Sequence, residues 1–234
     1  MTKIVVSGAR GRMGKRIIAL AGQDPDLEVV AGLEINPDPN KNIVSDLKSI
    51  KENYDCIIEF TTPVATTEHV KNAKVLKKSM VIGTTGLSSE DNKLIYDAAK
   101  AIPIVLAPNM SVGVNVLFGL IEKTSKTLGK EYKVSIKEAH HVHKKDKPSG
   151  TAKLMAKIVN EKKGDSEIAM ESVREGETVG DHEIIFESEV DTLKISHSAK
   201  TRDIFAIGAL KAAKFIARMK KGIFSMSDVL GLKE

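Results

Sequence analysis

The sequence is poor in several residue types, and each shortage excludes something. Among 234 residues there is one cysteine, no tryptophan, and only 4% aromatic side chains. A single cysteine rules out an internal disulfide framework and fits a reducing compartment. Cys56 lies in the apolar run "DCIIEF", which reads as a buried, inert thiol. Scarce aromatics leave no stacking platform for single-stranded nucleic acid. Thirty-six basic residues are interspersed with thirty-one acidic ones, for a net charge of +5 and no basic stripe, so nucleic acid is not an expected partner. No stretch approaches the ~18 consecutive apolar residues of a membrane span. Residues 1–7 lack the charged and long apolar regions of a secretory leader and read instead as a strand. The expectation is a cytoplasmic protein that handles a small molecule. At 41% hydrophobic and 29% charged, the chain has the means to build a core.

What is present is organised. Short apolar runs, "KIVVSG", "LEVVAGLE", "DCIIEF", "SMVIGTTG" and "IPIVLAP", punctuate the first 108 residues. Helical patterns lie between the later ones, at 65–76 and 88–99, and a first helix is expected around Met13, Ile17, Leu20 and Ala21. Strands apolar along their whole length, separated by helices, predict a parallel sheet buried on both faces, a doubly wound α/β domain. After Pro108 the pattern changes. A helix is predicted from Ser111 to a stop at Gly129, a long alternating strand over 131–143, and a helix from about Ser149 to Asn160. Three alternating segments follow, 167–174, 182–187 and 192–198, then a final helix over 203–219. This predicts a smaller α+β domain with an open mixed sheet covered on one face. The expected division is 1–109 with 203–234, and 110–202.

"VVSGARGRMGKRII" joins the first strand to the first helix. Gly8, Gly11 and Gly14 are three apart; Ala9 occupies the first slot of the usual G-x-G-x-x-G, with Gly11 and Gly14 in the others. A residue without Cβ at Gly11 lets backbone approach a pyrophosphate, and the free N–H groups and dipole of a helix start favour its charge. Arg10 and Arg12 add cations. Glu34 ends the second strand twenty residues after Gly14, where a carboxylate accepts from the hydroxyls of an adenosine ribose. Together these predict a Rossmann-type dinucleotide domain. Ile35 stands where a cation would meet a 2′-phosphate, which favours NADH over NADPH, although Lys41 or an arginine of the loop offers a substitute.

"EAHHVHKKDKPSGTA", residues 138–152, carries the second chemical signal. Three readings fit it. The residues could be exposed polar groups near a strand end. They could ligate a metal, but Lys144, Lys145 and Lys147 oppose a dication, and no metal is expected. They could form an anion-binding catalytic site. In that case Ser149, Gly150 and Thr151 at a helix start cradle a carboxylate, and histidine and lysine donate protons beside it. In an alternating strand His141 and His143 would share one face and His140 the other. Beside a nicotinamide domain, the third reading implies reduction of a carboxylated C=C or C=N group. The other histidines read more plainly. His69 is expected to be exposed on a helix and His182 structural, while His197 or Arg202 is a candidate to approach a substrate carboxylate.

The chain resembles the dihydrodipicolinate reductase family nearly end to end, through "GARGRMG", "EFTTP", "GTTG", "APNMSVGVN", "EAHHVHKKDKPSGTA", "VREGETVGDHEI", "TRDIFAIGALKAA" and "GIFSMSDVLGL". The resemblance implies NADH- or NADPH-dependent reduction of a cyclic dicarboxylate imine in lysine and diaminopimelate biosynthesis. It implies His140 as general acid/base and Lys144 as second proton donor, with His141, Gly150 and Thr151 on the substrate carboxylates. It implies Gly8, Ala9, Arg10, Gly11, Arg12 and Met13 around the pyrophosphate and Glu34 on the ribose. Gly83, Thr84 and Thr85, with Ala107, Pro108, Asn109 and Met110, would line the nicotinamide end. It also implies a homotetramer built through the sheet of the second domain. The sequence departs from the family at three places. Ile35 replaces a frequent arginine, the chain is short between Asn160 and Ile168, and Glu59 stands where aspartate is frequent. Another two-domain nicotinamide enzyme, an imine reductase or amino-acid dehydrogenase, would share the glycine loop without needing the histidine motif.

Overall fold

The computed structural model describes residues 1–164 and 167–233. The chain divides into two compact units, 1–112 with 205–234, and 113–204.

The first unit is a seven-stranded parallel sheet. Its strands are β1 (Thr2–Ser7), β2 (Leu27–Leu33), β3 (Ile43–Val44), β4 (Cys56–Glu59), β5 (Ser79–Ile82), β6 (Pro103–Leu106) and, near the end of the chain, β11 (Gly222–Phe224). Their spatial order is β11-β6-β5-β4-β1-β2-β3. Alternation assigns the two faces. Ile4, Val6, Cys56, Ile58, Val81 and Val105 face one way, against α1 (Arg12–Ala21), α6 (Asp203–Ile216) and α7 (Met226–Leu230). Val5, Ile57, Met80, Ile82 and Ile104 face the other, against α2 (Pro63–Leu76) and α3 (Ser89–Ala99). Both faces are covered, which is why these strands read as unbroken apolar runs. Cys56 is fully buried, and burial pushes its thiol pKa up. Strand order reverses between β1 and β4, and in open α/β sheets ligands bind at the carboxyl ends beside such a reversal.

The second unit contains α4 (Val112–Thr127), β7 (Lys133–His140), α5 (Gly150–Lys163), β8 (Ala169–Arg174), β9 (Asp181–Glu187) and β10 (Thr192–Ser198). The sheet order is β10-β9-β7-β8, with β7 and β8 parallel and the remaining pairs antiparallel. Val134 and Ile136 on β7 and Ile184 and Phe186 on β9 pack under α4 and α5. The opposite face of this sheet carries Lys137, Glu171, Glu183 and Lys194.

The structure corrects several expectations. The strand expected over 131–143 stops at His140, because His141 N–H turns to donate to the Thr178 carbonyl at 2.7 Å. His141 and His143 therefore follow the strand as a turn and are not partners on one strand face. The final helix ends at Ile216, and β11 and α7 come after it. These two were missed because Gly222 and Gly231, both with positive φ, cut the segment into pieces too short for a period to show. His69 is not an exposed helix residue; its side chain is 17% exposed and bonded to Glu59. The shortened connection expected between Asn160 and Ile168 runs through 165–166, which lie outside the described residues.

Candidate functional site

The glycine loop turns as its spacing requires. Gly8 has φ +72°, in the region that favours glycine. A Cβ on Gly14 would come within 2.1 Å of the Gly8 carbonyl oxygen, so the helix start packs directly on the turn. Gly11 caps α1 with no side chain in the way. Arg10 N–H donates to Glu34 Oε1 at 2.6 Å, which holds the carboxylate at the end of β2 beside the loop. Arg10 and Lys41 both pair with Asp38, at 3.5 and 3.7 Å. Ile35 is 91% exposed. The Gly83 turn follows β5, where a Cβ would strike the Phe60 ring at 2.3 Å. Thr84 is buried and Thr85 exposed. Past β6, Ala107 and Met110 are buried, and the Met110 carbonyl lies where a Cβ on Gly208 of α6 would sit, 1.7 Å away. Pro108 is exposed, and the Asn109 side chain accepts from Ser111 N–H at 2.9 Å. The loops at residues 8–13, 83–85 and 107–110 thus all follow carboxyl ends of one sheet. An exposed helix start capped by a glycine, with a carboxylate fixed beside it, fits a dinucleotide.

In the second unit the residues gather around one carboxylate. Glu138 and His140 are two apart on β7, so both point to the helix-covered face, where both are buried. Glu138 is held by several donors. His140 Nδ1 lies 2.5 Å from Oε2, Arg174 reaches Oε2 at 3.0 Å and Oε1 at 2.8 Å, and Ser149 N–H donates to Oε1 at 3.2 Å. Burial works against ionisation of Glu138, but the Arg174 guanidinium, Ser172 and His140 outweigh it and hold the carboxyl down at about 2. His140 moves below its ordinary value because burial disfavours the imidazolium, and the charges of Lys144 and Arg174 add to that; Glu138 opposes them. Since Nδ1 faces a carboxylate, it carries the proton, and Nε2 is the atom left for chemistry. Nε2 sits against Gly180, where a Cβ would come within 3.0 Å.

Ser149 caps α5. Its Oγ accepts from Ala152 N–H at 3.2 Å and lies 3.3 Å from His182 Nε2. The His182 ring stands edge-on to His140 with centroids 5.0 Å apart. Burial first, and then the neighbouring His140, push His182 down to about 4, so it is neutral in ordinary conditions. Gly150 and Thr151 form the first turn of α5. Lys144 pairs with Asp146 at 2.7 Å, and this pairing is the main cause that lowers the Asp146 carboxyl. The Asp146 carbonyl accepts from Arg174 at 2.6 Å. Arg202 reaches His141, with Nη2 and Nε2 3.3 Å apart. His197 packs against Gly113 and lies opposite His182 on the paired strand, so of the two candidates Arg202 meets the histidine motif directly and His197 stands behind it. Among the described residues no group of histidine, cysteine and carboxylate side chains is placed to hold a metal.

The structure therefore brings His140, His141, Lys144, Ser149, Gly150 and Thr151 into one unit. It adds Glu138, Arg174 and His182, and it sets the candidate Arg202 beside His141. Glu138 was within reach of the sequence, since period two places it beside His140. Arg174 left no such signal; its partnership depends on β8 lying parallel to β7, with Arg174 opposite His140.

Comparison with known proteins bears on the chain as a whole and on its fold. Residues 2–110 match the family model for the dihydrodipicolinate reductase N-terminus, and residues 113–230 match the model for its C-terminus. A 4-hydroxy-tetrahydrodipicolinate reductase of Caldanaerobacter subterraneus is 40% identical and aligns with 98% of both chains. One of Geobacter sulfurreducens is 40% identical over an alignment of 271 positions that covers both chains fully. A solved dipicolinate-bound dihydrodipicolinate reductase from a Paenisporosarcina species has the same fold, with a TM-score of 0.82 over 96% of this chain and 97% of that one at 22% identity. With both of its halves matched in order and relatives aligned along its whole length, this chain belongs to the dihydrodipicolinate reductase family.

Proposed function

We propose that the chain reduces 4-hydroxy-tetrahydrodipicolinate to tetrahydrodipicolinate in lysine and diaminopimelate biosynthesis, with His140 as its proton-transfer group. The observation that carries this reading is the Glu138–His140 contact at 2.5 Å beside the start of α5. A tautomer-fixed imidazole beside a helix start supports proton transfer to a bound anion. Over the net reaction the 4-hydroxyl takes up a proton and leaves as water, a ring proton is released, and a hydride and one proton add to the ring. The nicotinamide supplies the hydride when bound. The backbone of residues 8–13 would hold the pyrophosphate, Glu34 the ribose, and residues 83–85 and 107–110 the nicotinamide end.

The substrate carries two carboxylates, and the second unit offers matching donors. The N–H groups of Gly150 and Thr151 open α5, and the dipole of that helix favours negative charge. Ser149 holds the turn in shape. His141 and Arg202 stand together as a second anion-binding pair. Lys144 supplies charge and the proton that the departing hydroxyl takes up. The dianion raises the proton affinity of His140, against the burial that lowers it, so the imidazole becomes an acid when the ring arrives. It then donates from Nε2 to the site where charge develops on hydride arrival. Glu138 stabilises the imidazolium before transfer and keeps the ring turned.

The cofactor preference we infer is NADH. Ile35 offers no charge to a 2′-phosphate, and the nearby cations Arg10 and Lys41 are engaged by Asp38. We further assign a homotetramer through the outer face of the second unit's sheet, where Lys137 and Glu171 pair at 3.3 Å, and a cytoplasmic location. No helix among the described residues is long and apolar enough to cross a membrane.

The test is steady-state oxidation of NADH and NADPH with freshly generated 4-hydroxy-tetrahydrodipicolinate, against pyruvate plus ammonia. Turnover with the cyclic substrate alone is expected. Turnover with pyruvate and ammonia, and none with the cyclic substrate, would overturn the reading in favour of an amino-acid dehydrogenase.

A further inference from the structure

At the reversal of strand order lies a polar cluster with no assigned role. Ser7 ends β1 and Glu59 ends β4, and the two are paired across the sheet. Glu59 is fully buried. A carboxylate there needs partners, because an unpaired buried charge is strongly unfavourable. It has two. His69 of α2 brings Nδ1 to 2.6 Å from Oε2, with Ser7 Oγ 3.2 Å from the same nitrogen, and the Thr61 hydroxyl donates to Oε1. Thr61 N–H in turn donates to Thr84 Oγ1 at 3.3 Å, and the Thr66 hydroxyl bonds that same oxygen at 2.8 Å.

The consequence is geometric. Both polar groups of Thr61 are tied inward, so its methyl faces the glycine loop, 3.0 Å from where a Gly8 Cβ would lie. The Phe60 carbonyl is 3.3 Å from the same point, and the Phe60 ring covers Gly83. Residues 60–61 therefore form a wedge that touches the phosphate-binding turn on one side and the Gly83–Thr85 turn on the other.

We propose that Glu59 and His69 are positioning residues for the dinucleotide, fixing the wedge at Phe60 and Thr61 that sets the spacing of the two turns. This rests on the proposed dinucleotide site. It goes further by giving a task to an acid–imidazole pair that touches neither cofactor nor ring.

The test is NADH binding, followed by fluorescence, with dipicolinate binding and thermal melting measured on the same samples. Wild type is expected to bind both ligands. Glu59→Ala removes the acceptor of both donors and is expected to weaken NADH about tenfold or more, as small displacements of a binding loop do. Dipicolinate affinity should stay within about twofold, because its donors belong to the other unit. Glu59→Asp restores the carboxylate and should recover NADH binding to within about threefold. Should Glu59→Ala not fold, Thr61→Val keeps the shape and the methyl but deletes the hydroxyl; it should weaken NADH about three- to tenfold, with the protein still folded and its melting temperature lowered by roughly a few degrees. Wild-type NADH affinity in folded Glu59→Ala, or in Thr61→Val, overturns the proposal and leaves the dinucleotide site standing. Failure of wild type to bind either NADH or NADPH overturns the site and the proposal together.

Discussion

Glu138 Oε2 and His140 Nδ1 lie 2.5 Å apart on one face of β7, and Arg174 clasps the same carboxylate. The imidazole is therefore oriented from behind by a group that carries fixed negative charge. In Glu138→Gln the support for the imidazolium is lost, so His140's pKa falls further. The protonated form is lost as pH rises through that value, and the alkaline limb of the kcat profile moves to lower pH. We expect kcat to drop roughly 10²-fold, with NADH affinity unchanged. A pH–rate profile of the variant beside wild type checks both.

His140→Gln removes the proton donor itself. The expected loss in kcat is about 10²- to 10⁴-fold, again with NADH binding retained. Equal loss of NADH binding would place this residue outside its assigned role.

Lys144 is held by Asp146 at 2.7 Å, where a substrate carboxylate would compete for it. Asp146→Ala frees the ammonium. Dipicolinate affinity, measured by calorimetry, should rise about three- to tenfold, in the range of one charge-assisted contact.

His182 is the acid-sensitive element of the second unit. Its folded value of about 4 lies below the ordinary 6.5, so it contributes full stability above pH 6.5. That contribution declines as pH falls from 6.5 to about 4, by on the order of 3 kcal/mol. Glu138, held at about 2, extends the decline below pH 4.5. Melting temperature against pH should fall across this window, and His182→Gln should flatten its upper part.

Ile35 is almost fully exposed at the end of β2, so Ile35→Arg should fold normally. A guanidinium there should tighten NADPH about tenfold relative to NADH, readable as a ratio of Kd values.

The sequence displayed the central strands of the first unit well, because β1, β2, β4, β5 and β6 are largely buried on both faces and read as apolar runs, whereas the short edge strands β3 and β11 left no such run. The glycine loop was legible for a related reason, since spacing and backbone freedom are local properties. The end of β7 was not. Alternation continues into "HVH", and only the hydrogen bond to Thr178 shows where pairing stops. His69 was misread because polar residues surround it on α2, while its partner Glu59 lies on a strand ten positions earlier. Arg174 was invisible because it meets Glu138 through strand order alone.

The first unit is assembled from both ends of the chain, with residues 113–204 inserted between. The face of its sheet that bears Ile4, Val6, Cys56, Ile58, Val81 and Val105 is closed in large part by Ala206, Ala209, Ala212, Ala213 and Ile216 of α6. During synthesis that face stays wet and adhesive until the ribosome has delivered α6, which emerges only once the whole inserted unit has been made. A nascent chain stalled near residue 200 should thus recruit a holding chaperone, and release it once the last helices arrive.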